Sequence, residues 1–124
     1  MQQKCQEWQK RLRLADWDVD VKVVPAMDMY TTQLQGSVHW QMTERTANIK
    51  LVTPEDAAKQ NPVRPYSIEE TLIHELLHLH MAGFEPDNSQ QAECLAMEFA
   101  INAIAGALLK LATAQPQEKG TDEH

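Results

Sequence analysis

The sequence predicts an α+β fold: an N-terminal helix, a small three-stranded, mainly antiparallel sheet, and two long C-terminal helices. Three observations carry that expectation. Apolar residues recur at three- and four-residue steps near the N-terminus and again beyond residue 67. Between those stretches, short runs alternate apolar and polar residues, the period of half-buried strands. Proline, asparagine and aspartate collect where one period gives way to the other.

Residues 3–15 make the first helix, with Cys5, Trp8, Leu12 and Ala15 on one stripe and Lys, Gln, Glu and Arg between them. The Trp8 stripe should pack on the sheet, and Lys10-Arg11-Leu12-Arg13 is a solvated face. Trp17 to Val23 alternates apolar and charged residues as a strand does, and Pro25 ends it. Ala26 to Gln35 has no period and reads as a loop. Gly36 to Met42 is a second strand, with Val38, Trp40 and Met42 on one face. Thr46 to Val52 is a third, with Ala47, Ile49 and Leu51 inward, and the two form a hairpin about Thr43-Glu44-Arg45. Thr53-Pro54-Glu55-Asp56 starts a short helix to Lys59, with proline at its first position. Asn61 to Pro65 is a rigid linker. Ser67, followed three residues later by Glu70, is a capping box that starts a helix near Ile68. Gly83 offers that helix a left-handed stop, with Pro86 close behind. A final, strongly apolar helix runs from about Ser89 to Ala112. Residues 115–124 are polar and aperiodic and read as a disordered tail, leaving one compact domain over 1–114.

The chain of 124 residues, 43% hydrophobic, suffices for one core without disulfides. Cys5 and Cys94 form neither a tight metal-binding pair nor a disulfide framework. The first residues lack the apolar centre of a signal peptide, and no segment reads as long enough to span a membrane. A reduced, cytoplasmic setting and no membrane partner are the expectations. A net charge of −7 argues against nucleic acid as a partner, because phosphates need a basic face.

The chemistry is concentrated in His74-Glu75-Leu76-Leu77-His78. On a helix, residues four apart lie about 40° from each other around the axis, so His74 and His78 can aim two imidazoles at one tetrahedral ion. Glu75 lies about 100° from His74, where it reaches water beside an ion rather than the ion, and so reads as a general base. Leu72, Leu76 and Leu79 make the opposite, core-facing side. Ordinary partly buried histidines would look the same, so a third ligand decides between the two readings.

His80 points about 160° away from His78 on the same helix and reads as a helix-end histidine bonded to its surroundings. The positions three and six after His78 hold Met81 and Phe84, which excludes the metzincin pattern. Neither cysteine precedes the motif closely, as a deformylase pattern would need. The last helix offers Glu93 and Glu98. Cys94, Ile101, Asn102, Ala105, Leu109 and Ala112 fall within roughly 60° of Glu98, whereas Glu93 lies about 140° away. A carboxylate on an apolar stripe is costly unless paired or bound to metal, which makes Glu98 the candidate ligand and Glu93 the solvated residue. An arginine or a backbone donor meeting Glu98 remains the other reading.

Nineteen residues separate His78 from Glu98, the spacing of thermolysin. The arrangement resembles the gluzincin clan of zinc metallopeptidases, and within it the single-domain minigluzincins, which include phage-like and bacterial proteins. The segments Glu70–His80 and Glu98–Leu108 carry the resemblance. It implies one catalytic Zn2+ held by His74, His78 and Glu98, with Glu75 as base. It also implies an extended peptide or protein substrate pairing with a rim strand, here Thr46 to Val52. Larger gluzincins add a histidine or tyrosine from a second subdomain to stabilise the oxyanion; Tyr30 or His39 would have to substitute. The function expected is zinc-dependent peptide-bond hydrolysis by a metalloendopeptidase. The alternative is a zinc-stabilised binding or regulatory module, latent or with little turnover.

Overall fold

The computed structural model describes residues 1–60 and 65–122, the side chains of 115–122 excepted. The expected linker therefore falls largely outside the described residues. Contacts divide the chain into two units, Met1–Glu85 and Pro86–His124.

The first unit opens with α1 (Gln2–Arg11), shorter than the predicted 3–15. Arg13 adopts φ 60°, with Leu14 N–H donating to Gln9 O at 2.7 Å and Arg13 N–H to Lys10 O at 3.2 Å. These paired bonds make a Schellman stop without glycine, which is why no residue type announced it. Cys5 and Trp8 are buried as expected, but Ala15, beyond the stop, is exposed. Gln9 is buried too, and its amide donates to Leu14 O and Trp17 O, so no polar hydrogen is left unsatisfied there. Arg11, in the basic run, lies 4.7 Å over the Trp8 ring, a cation–π contact.

Three strands follow: β1 (Asp18–Val24), β2 (Gly36–Gln41) and β3 (Thr46–Val52). Their order is β1-β3-β2, with β3 central. The α+β class is as predicted, but the sheet is mixed rather than mainly antiparallel. β2 and β3 form the expected antiparallel hairpin, while β1 pairs with β3 in parallel, Asp18 opposite Thr46 through Val24 opposite Val52. The alternation of each strand shows its faces but not its direction relative to a distant neighbour. Ala47, Ile49 and Leu51 face the core as read, joined by Val19 and Val21. Met42 does not; it lies in the turn and is half exposed.

This order corrects one expectation directly. β3 has a strand on both sides, so it has no free edge to offer a peptide. At the β1 edge, the Gln2 side chain donates to Val19 O at 2.7 Å and accepts from Val21 N–H at 2.9 Å. That amide imitates a backbone partner and blunts the edge. β2 is the strand at the other end of the order.

After β3 the chain enters α2 (Pro54–Ala57), capped by Thr53, and tightens into a 3₁₀ turn at Ala58–Gln60. Then comes α3 (Ile68–Met81), with Ser67 Oγ accepting from Glu70 N–H at 3.1 Å as the capping box requires. Leu72, Ile73, Leu76 and Leu79 are buried, the core side read from the sequence. Trp8 Nε1 donates to Glu69 Oε2 at 2.7 Å, and His80 Nε2 donates to Leu12 O at 2.6 Å, so both ends of α3 are tied to α1 or its exit. Gly83 is not the left-handed stop expected of it, since no glycine among the described residues has positive φ. The chain leaves α3 through a tight turn in which Phe84 N–H donates to Met81 O.

The second unit is α4 (Gln91–Asp122) with the turn before it. Asp87 organises that turn: its carboxylate accepts from the Ser89 hydroxyl and, at 2.8 Å, from Ser89 N–H, and these two bonds hold it below the usual carboxylate range. α4 runs past Ala112 to Asp122, into the segment whose polarity reads as a disordered tail. Ile101 and Ala105 are buried, Glu93 is exposed and Glu98 is partly buried, as the stripe argument required; Asn102 is exposed, which it did not. Gln91–Ala114 is also long and apolar enough, by length and composition alone, to cross a membrane. On length and composition, the expectation that no segment is long enough to span a membrane does not hold for this helix.

Candidate metal centre

α3 presents His74, Glu75 and His78 on successive positions of one turn and the next. Glu75 and His78 are buried, and His74 is partly so. The two imidazoles face each other through Nε2, 3.3 Å apart, with ring centroids at 5.1 Å. Two nitrogens about 2.05 Å from a tetrahedral zinc stand about 3.4 Å apart, so this pair already has the separation that one ion imposes. His74, His78 and Glu98 each offer a ligand atom, and these atoms all lie within 4.8 Å of one another. Two imidazole nitrogens and a carboxylate oxygen form the donor set of a three-ligand catalytic zinc site. These three residues could hold a metal ion.

Glu75 stands one residue from His74 on the side of Gly36. A β-carbon at position 36 would fall 3.0 Å from Glu75 Oε2, so the carboxylate abuts the start of the edge strand. The base candidate thus lies on the motif helix beside the first residue of β2.

Two neighbours escaped the sequence reading. Gly36 is one, legible only once the strand is laid against α3. The other is Glu85, whose Oε1 lies 2.8 Å from His78 Nδ1. The only hint in the sequence was an acidic residue just past the end of the motif helix. The proposed oxyanion donors are not brought in. Tyr30 is 82% exposed. His39 is exposed and, three residues from Gly36, lies on the opposite face of β2. Tyr66 is committed elsewhere, its hydroxyl donating to Val52 O at 2.8 Å, and burial pushes that hydroxyl up to about 12.

No family model, curated protein or solved structure matches this chain. The site therefore rests on its own geometry.

Proposed function

We propose that this protein is a zinc-dependent metallopeptidase of the gluzincin kind, with His74, His78 and Glu98 as ligands and Glu75 as general base. The observation that carries the reading is the 3.3 Å approach of the two Nε2 atoms, with the Glu98 carboxylate within reach of both and a buried glutamate beside them. Zinc held there supplies Lewis acidity, polarising a carbonyl and acidifying water. Glu75, as general base, would accept a proton from water and pass it to the departing amine. Burial of Glu75 excludes competing solvent, and Gly36 leaves room for its carboxylate beside the strand.

The substrate is an extended peptide, and its docking edge is β2 rather than β3. The β2 strand starts against Glu75 and stands at one end of the strand order, where an added strand could pair. Pairing there lays a scissile bond along the sheet beside the base. A second reading, a zinc-stabilised binding module, is favoured by the positions of Tyr30 and His39, which leave the oxyanion without either donor. Zinc content and cleavage of an unfolded, fluorescently quenched protein distinguish the two. Chelator-sensitive cleavage supports the peptidase; one bound zinc without cleavage of any unfolded substrate supports the module.

A further inference from the structure

We infer that Glu85 is a positioning residue that fixes the tautomer and orientation of His78 for metal binding. The inference rests on the metal site proposed above and concerns a residue outside its ligand set. Glu85 Oε1 and His78 Nδ1 are 2.8 Å apart, in a pair whose side chains are 21% and 10% exposed. An ionised carboxylate can only accept, so Nδ1 carries the hydrogen and donates it. In the neutral ring that binds a metal, Nε2 then keeps its lone pair, and Nε2 is the atom that faces His74 at 3.3 Å. A histidine ligand oriented in this way by a carboxylate is also a more basic one.

The contact depends on where α3 stops. In a continuous helix, residue 85 would lie about 10.5 Å along the axis from residue 78, out of hydrogen-bonding range. Instead α3 ends at Met81, and the turn closed by Phe84 N–H to Met81 O folds the chain back, bringing Glu85 to the buried ring. The exit from the motif helix thus supplies a part of the site that the motif itself lacks.

The test compares Glu85→Ala and Glu85→Gln with the full-length wild type. Zn2+ affinity is measured by competition with a chromophoric chelator, and Co2+ spectra report ligand geometry. Imidazole nitrogen shifts of the metal-free protein report the His78 tautomer, and metal-free melting temperatures report folding. Glu85→Ala should lose roughly 10- to 100-fold in zinc affinity, the usual cost of removing such a partner. It should also lose the Nδ1–H preference while melting nearly as wild type does without metal. Glu85→Gln, which keeps an accepting oxygen but no charge, should fall between. Wild-type affinity and tautomer in Glu85→Ala would overturn the role. Equal losses in both variants, with a lowered metal-free melting temperature, would make Glu85 a folding contact and overturn it too. A wild type that holds zinc but cleaves nothing removes the peptidase reading and leaves this one standing; a wild type that holds no zinc removes both.

Discussion

Gly36 and Glu75 are in such close contact that a β-carbon on the first would stand 3.0 Å from Oε2 of the second, and 2.6 Å from Cγ2 of Thr71. The absence of a side chain at one end of β2 is therefore what allows the motif helix to lie against the edge strand with its glutamate in place.

Gly36→Ala should accordingly push α3 and β2 apart, at a cost of about 1–3 kcal/mol, the range for overpacking a close contact. Turnover should fall with it, because Glu75 is one of the groups displaced. Adding Thr71→Ser removes the nearer clashing methyl while retaining the hydroxyl that donates to Ser67 O, and should restore part of the stability. Urea melts of the single and double variants check this. A single variant as stable as wild type would mean the two elements can separate freely.

Glu75→Gln should keep the fold and the zinc and lose hydrolysis by about 10²- to 10⁴-fold, the usual contribution of a general base. The side chain keeps its size, and both imidazoles are untouched. Metal analysis alongside peptide cleavage reads both halves; wild-type turnover on a peptide that the wild type cleaves would remove Glu75 from the base role.

Glu98→Ala should cut zinc affinity sharply and lower the melting temperature of the protein in zinc, because a metal bound only to the native state adds to folding free energy. Glu93→Ala, on the exposed side of the same helix, should change neither by much. Thermal melts with and without chelator, and zinc content, separate the two. Normal zinc in the first variant with loss in the second would reverse the assignment of helix faces.

Cys5 is fully buried, and burial pushes its thiol up to about 11, partly offset by the N-terminal ammonium. Tyr66 is likewise raised, to about 12, by burial, partly offset by its hydrogen bond with Thr71. Both groups hold their protons more tightly folded than unfolded, so their stabilisation is complete below about pH 9 and is lost as pH rises through about 11 to 12. Denaturant melts should show stability falling across that window, and Cys5→Ala should flatten its lower part. Iodoacetamide near pH 8 should label Cys94, which is only partly buried, well before Cys5. Equal labelling would show that the α1 side of the core opens readily.

The local signals were legible because each lies within a few residues. Ser67 and Glu70 cap α3 through a three-residue relation, and Thr53 caps α2 in the same way. Alternation located all three strands within a residue or so, since the pleat has a period of two whatever the strand pairs with. The end of α1 was not legible, because Arg13 takes a left-handed conformation usually left to glycine. Gly83 misled for the converse reason: a residue permitted to adopt positive φ need not adopt it.

By itself, the sequence determined which side chains could act together on one helix: His74 and His78 share a face because helical rotation leaves no alternative, and Glu98 sits on an apolar stripe for the same reason. The tertiary structure decided what surrounds them. The order β1-β3-β2 withdraws Thr46–Val52 from any peptide and leaves β2 as the edge, a choice of partner that alternation cannot encode. The approach of Gly36 to Glu75 and of Glu85 to His78 likewise depends on how a strand meets a helix and how a turn doubles back. Such contacts are set by the packing of whole elements, whereas the motif is set by the geometry of one.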